Sequence, residues 1–176
     1  MAPAVARRPD FPISRTPMIL PLKLVASWTL ASLALADLRT RRLATFAVAL
    51  VGALYAALAL AGAPGDGGFA SHAALGAAAF ALGAAMFRAG WIAGGDVKLA
   101  AVVFLWAGPA HAWPVAFAIG VGGLAVGAVC IAAGRAPRVL AWFAPARGVP
   151  YGVALAVGGL LAVWAPAACR LPGCLG

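Results

Sequence analysis

The sequence predicts an all-α fold: a polytopic membrane helix bundle of about six transmembrane helices. Three observations carry that prediction. Of the 176 residues, 65% are hydrophobic, and mean hydropathy is +1.01. Apolar runs of about 18 residues or more, long enough to cross a bilayer, recur along most of the chain. Between them lie Gly/Pro turns or clusters of Arg and Lys. At about 20 residues per span plus loops, the length is used up by one membrane domain, with little room for a soluble one.

Residues 1–17 are polar, basic and proline-rich, the composition of a disordered tail. Met18 stands directly before the first span and offers an alternative start. The spans are expected over 19–36, 43–62, 70–88, 97–112, 114–134 and 151–168, making one membrane domain over 18–168 and a short C-terminal tail over 169–176. Asp37-Leu38-Arg39-Thr40-Arg41-Arg42 joins the first two. Ala63-Pro64-Gly65-Asp66-Gly67-Gly68 joins the second and third as a turn-rich loop without basic residues. Gly90-Trp91-Ile92-Ala93-Gly94-Gly95 leads into the fourth span. Gly108-Pro109 and Trp113-Pro114 separate it from the fifth. Residues 135–150 form a longer basic segment in which Trp142 and Phe143 suit an interfacial anchor.

The net charge of +9 would suggest nucleic acid in a soluble protein. In this setting it reads as basic cytoplasmic loops and contact with anionic lipid headgroups, so no nucleic-acid partner is expected. Arg39, Arg41, Arg42, Arg88, Lys98, Arg135, Arg138 and Arg147 all fall in the first, third and fifth connections. The positive-inside rule then places those connections in the cytoplasm. Arg7, Arg8, Arg15 and Lys23 oppose that orientation, a conflict that a start at Met18 reduces. Cys130 reads as a small buried hydrophobe. Pairing of Cys169 with Cys174 stays open, and the absence of paired C-x-x-C motifs argues against a zinc site. His72 and His111 read as interfacial or packing residues. Trp28, Trp106, Trp113 and Trp164 read as belt or packing residues. The abundant Gly and Ala suit close helix packing.

The chain has four acidic residues, all aspartates: Asp10, Asp37, Asp66 and Asp96. Carboxylates beside hydrocarbon are costly, and those kept there are functional candidates. The orientation puts Asp37 and Asp96 on one side, Asp66 on the other and Asp10 in the tail. Asp37 closes the first span and Asp96 opens the fourth. Two carboxylates that share a site do not both ionise easily, so one can activate water while the other donates a proton. That division permits hydrolysis of a carbonyl compound with neither a metal nor a nucleophilic side chain, and no cofactor is expected. Gly94-Gly95 lets the backbone approach closely and adopt conformations closed to other residues. Taken singly, an Asp beside Arg at a helix end usually reads as an interfacial, solvated charge, and a lone G-D-x-K is weak; their location on one side, with no other carboxylate there, brings the catalytic pair level with that reading.

These residues resemble the type IV prepilin peptidase family of membrane aspartic proteases, closest to the short form associated with Flp/Tad pili. The family pattern sets an Asp followed by basic residues after the first helix, here Ala36-Asp37-Leu38-Arg39-Thr40-Arg41-Arg42. It then opens the fourth helix with G-x-G-D-x-K, here Ala93-Gly94-Gly95-Asp96-Val97-Lys98. Gly122-Gly123-Leu124 and Val149-Pro150-Tyr151-Gly152-Val153-Ala154 are also similar to the family. The resemblance covers roughly residues 19–165. Ala93 departs from the first glycine of the pattern, and Arg42-Leu43-Ala44-Thr45 lacks a Pro-Asn pair common there. The cysteine-rich insertion that accompanies methyltransferase activity in longer relatives is missing.

The resemblance implies catalytic Asp37 and Asp96, with Gly94, Gly95 and Lys98 as a supporting motif. Arg39, Arg41 and Arg42, with Lys98, are either substrate or headgroup contacts or topology anchors. The implied substrate is a prepilin or pilin-like precursor, cleaved after a leader glycine at the cytoplasmic face of the bacterial inner membrane, with pilus or secretion assembly proteins as neighbours. Two other functions fit the residues: a small transporter or channel using the paired aspartates, and a non-catalytic pilus or secretion assembly subunit.

Overall fold

The computed structural model describes residues 16–61, 68–135 and 149–165. Asp10, Asp66, Arg138, Trp142, Phe143, Arg147 and the Cys169–Cys174 pair lie outside the described residues, as does the tail as far as residue 15. Among the described residues five helices follow one another: α1 (Thr16–Thr40), α2 (Thr45–Leu60), α3 (Gly68–Arg88), α4 (Gly94–Arg135) and α5 (Tyr151–Trp164). No strand occurs among the described residues. α1, α3 and α4 are long and apolar enough to cross a membrane, while α2 and α5 are shorter apolar helices. This is a helical membrane protein.

The expectation of about six helices exceeds the five observed, and the difference lies in α4. Its 42 residues would extend about 63 Å if straight, twice the thickness of a bilayer core. Gly108 breaks the helical geometry with φ 60° and ψ 176°. The neighbours of α5 show what the break does. Before Gly108, Val103 approaches Gly159, and Asp96 lies at the level of Gly152, so this arm runs parallel to α5. After Gly108, Val115 approaches Gly158, Gly122 faces Ala154 and Gly123 faces Tyr151, so the second arm runs antiparallel to α5. α4 is therefore a helical hairpin whose turn is compressed into one residue. Trp113-Pro114, expected to help separate two spans, lies inside the second arm.

The break has its own satisfying contact. Pro109 has no N–H, so the carbonyl of Leu105 lacks its partner four residues on. His72 of α3 supplies one: Nδ1 lies 2.9 Å from Leu105 O. A Cβ at residue 108 would fall on the His72 ring, so the imidazole occupies the space that the glycine leaves. Tyr55 stacks on His72 at 5.5 Å and meets Trp106 edge-on at 5.6 Å, joining α2, α3 and α4 near the hairpin turn. Trp106 is buried and donates its indole N–H to Val51 O at 2.9 Å.

Without water to expel between them, membrane helices associate through close packing, which small residues permit. α3 meets the first arm of α4 at Gly76 and Gly83; added methyl groups there would come within 3.0 Å of Ala101 O and Val97 Cγ1. α5 is buried on most sides, through Gly152, Ala154, Leu155, Ala156, Gly158, Gly159, Ala162 and Val163. It sits between α1 and the α4 hairpin, with Leu30 and Val103 both against Gly159. At the far end, Trp164 donates its indole N–H to Ser27 Oγ at 2.9 Å, and Lys23 lies 5.7 Å over the same ring. Cys130 is buried in the second arm of α4, while Trp28, Trp91 and Trp113 are exposed.

Candidate active site

Asp37 lies in the last turn of α1 and is only 6% exposed. What holds it there is the start of α5. The first amides of a helix have no intrahelical acceptor, and the residue preceding α5 is Pro150, whose side chain cannot cap. The carboxylate of Asp37 takes that place across 115 positions of sequence, accepting the Gly152 N–H at 2.9 Å through Oδ2. The fit requires glycine, because a Cβ at 152 would lie 2.8 Å from Cγ and Oδ2 of Asp37. α1 then stops one turn later. Arg41 adopts a left-handed φ of 54°, and its N–H closes back on Asp37 O at 3.0 Å.

Asp96 lies in the first turn of α4, where the helix dipole favours an acidic residue. Its own N–H and that of Val97 both reach Ala93 O, at 3.0 and 3.3 Å, which starts the helix without a capping side chain. The approach to it is set by the end of α3. Gly90 with φ 77° and the bonds Gly90 N–H to Phe87 O and Trp91 N–H to Met86 O form a Schellman turn. Gly94 and Gly95 do not use the left-handed region. What Gly95 provides is closeness: an added methyl there would meet Leu43 Cβ at 3.1 Å, so the glycine lets the α1–α2 connection fold against the start of α4.

The two carboxylates line one polar cavity of about 590 Å³ together with Arg41, Arg42, Leu43, Ala93, Gly95 and Val149. They are close enough for the charge of Asp37 to act on Asp96, and the Arg41 guanidinium acts on Asp37. Three separate stretches of the sequence pattern meet there: Asp37, Arg41 and Arg42 from the first, Ala93, Gly95 and Asp96 from the second, and Val149 from the third. Lys98 does not line the cavity; its Nζ reaches Thr45 Oγ1 at 3.3 Å and ties α4 to the start of α2. Gly94 packs towards Phe87, and Arg39 is also outside the lining. The part played by the Gly152 amide was not read from the sequence. Its signal was a helix start at Pro150 with no capping side chain, a deficit that some other residue must fill.

Asp96 also lines a second, apolar cavity of about 440 Å³ between α3, α4 and α5. Both carboxylates border the polar cavity, so a water molecule and a peptide carbonyl there would have a general base and a general acid at hand, which hydrolysis requires.

Fold and site together define a class: a helical membrane protein that presents paired carboxylates to a polar cavity at one end of its bundle. The profile of the type IV leader peptidase family matches residues 24–164, a range that includes both aspartates and the start of α5. The chain belongs to that family, which makes it a leader peptidase in the general sense and a hydrolase. No curated protein and no solved structure gives a significant match.

Proposed function

We propose that this protein is an aspartic endopeptidase that removes the leader peptide of type IV prepilins or Flp-type pilin precursors at the cytoplasmic face of the inner membrane. The observation that supports this reading best is the single cavity lined by Asp37 and Asp96. In the reaction, one carboxylate takes a proton from water as its oxygen attacks the scissile carbonyl. The other, protonated, gives its proton to the leaving nitrogen as the C–N bond breaks. The products are a carboxylate-terminated leader and a mature chain with a free amino terminus, and the pair returns to its starting charge with one proton shared. Because the two titrate as a pair, either limb of the pH–rate profile belongs to both.

The Gly152 amide fixes Oδ2 of Asp37, and the Val153 amide also acts on this carboxylate, which lines the cavity. Arg41 and Arg42 give that cavity positive charge and suit acidic groups of the substrate or headgroups. The partners that follow are a pilin-like precursor, membrane lipids and the proteins of a pilus or secretion assembly.

The test is co-expression with a candidate prepilin, following leader removal by mass spectrometry. Asp37→Asn and Asp96→Asn are each expected to abolish cleavage while the protein stays in the membrane. Normal processing by either variant would sink the paired-carboxylate mechanism. Proton or ion flux that disappears with the same substitutions, with no cleavage by the unaltered protein, would assign the pair to transport.

A further inference from the structure

The apolar cavity beside the polar one has a definite shape. Its floor is the first arm of α4, its walls are α3 and α5, and the second arm of α4 closes the end near the hairpin turn. On α3 the lining runs from Met86 through Leu82 to Leu75, one face of a helix over eleven steps, about 16 Å. Among the described residues α3 rests chiefly on α4, so the face it turns towards α5 is largely uncovered by the described helices. Small residues alternate with large ones along the walls: Ala78, Ala79 and Ala100 beside Leu82, Phe104 and Leu155. That relief suits another helix, because small positions let a backbone approach and large ones fill its grooves. Asp96 is the single charged residue of the lining, and it is at the end where the polar cavity begins.

We propose that this groove is the docking site for the apolar helical segment on the carboxyl-terminal side of the substrate's scissile bond. Continuity decides the occupant. One residue, Asp96, belongs to both cavities, so a chain lying in the groove leads directly to the carboxylates, where its polar leader meets the cavity of Arg41 and Arg42. A lipid acyl chain has apolar chemistry compatible with the groove but places no peptide bond at Asp96. The groove accepts about three turns of helix, which holds the scissile bond at the mouth and leaves the rest of the segment in the bilayer. The proposal rests on the peptidase reading above.

The test uses the full-length protein in liposomes and two synthetic probes. Both carry a short Lys/Arg leader ending in glycine. One continues as an apolar helix of about twenty residues, and the other ends about four residues past the bond. The long probe should be cleaved with the higher kcat/KM. Ala78→Trp, which fills the groove from an exposed position, should reduce the long-to-short ratio of kcat/KM at least about tenfold. A ratio within about twofold of the unaltered protein would overturn the proposal.

A second measurement does not depend on turnover. A photoreactive benzophenone side chain at position 82, in the Asp96→Asn background, should label the apolar half of the long probe. The same group at position 124, exposed on the second arm of α4 and outside the groove, should not. Lipid adducts alone at position 82, or equal probe labelling at both positions, would overturn it. Failure of the unaltered protein to cleave either probe counts against the peptidase reading, whereas the label at position 82 reports the groove by itself.

Discussion

A methyl group at position 152 would stand 2.8 Å from the carboxyl carbon of Asp37, inside van der Waals contact, and would push that carboxylate away from the amide that holds it. Gly152→Ala therefore tests how much of the activity depends on the place of one carboxylate. Misplacement of a reacting group by about 1 Å can cost about 100-fold in rate. Gly152→Ala should lower kcat by about that factor with little change in KM, measured by steady-state cleavage in liposomes; undiminished kcat would show that the Gly152 contact does not position Asp37 for the reaction. Arg41 carries a different kind of constraint. A non-glycine residue in the left-handed region costs about 1–2 kcal/mol, and here that residue ends α1 beside the site. Arg41→Gly keeps the turn, removes the strain and removes the guanidinium next to Asp37. A higher Tm together with slower cleavage is expected, since the substitution separates stability from charge; cleavage at the original rate would assign Arg41 to the turn alone.

At the scale of elements, the α4 hairpin depends on three groups acting together: Gly108 supplies the positive φ, Pro109 frees the Leu105 carbonyl, and His72 satisfies it. His72→Ala removes the donor and opens a hole among Tyr55, Trp106 and the break. A loss of about 1–3 kcal/mol is expected, seen as a lower Tm in detergent. Gly108→Ala should be worse, because its methyl falls on the imidazole and the φ is unfavourable. Combined, the two should cost less than their sum, because the methyl then enters the space left by the ring; strict additivity would show that the ring and the break are independent.

The hairpin also marks where sequence reasoning reached and where it stopped. Gly108-Pro109 was legible as an interruption because both residues disfavour continuous helix. It was not legible that one residue reverses the chain, since that depends on His72, 36 positions earlier in the sequence. Likewise the long apolar runs gave α1 and α3 nearly whole. α5 is shorter than expected, ending at Trp164, where the indole is tied to Ser27 of α1. The two aspartates were legible as scarce charges beside hydrocarbon. The cap that Asp37 places on α5 was not, because a trans cap leaves no local spacing to detect.

For the molecule as a whole, the distribution of charge along the bundle axis argues an orientation. Asp37 and Asp96 mark one end. Arg39 lies in the last turn of α1, Arg41 and Arg42 follow it, Arg88 ends α3 and Lys98 lies in the first turns of α4, so all five belong to that end. The hairpin turn, the end of α2 and the start of α3 belong to the other, and their described residues carry no Lys or Arg. Lys23 is the basic residue on that side in the described part of α1, and it is half-buried over the Trp164 ring, whose face attracts the ammonium. Positive charge is retained on the cytoplasmic side, so the carboxylate end should face the cytoplasm. The measurement is cysteine labelling with a membrane-impermeant maleimide after Cys130, Cys169 and Cys174 are replaced by alanine. Trp91→Cys, in the turn beside the aspartates, should react only in inverted vesicles. Ala110→Cys, exposed just past the hairpin turn, should react only from outside in right-side-out vesicles. The opposite pattern would place the carboxylates outside the cell, where a precursor still attached to its cytoplasmic leader could not reach them, and the proposed cleavage would fail on topology even with both aspartates in place.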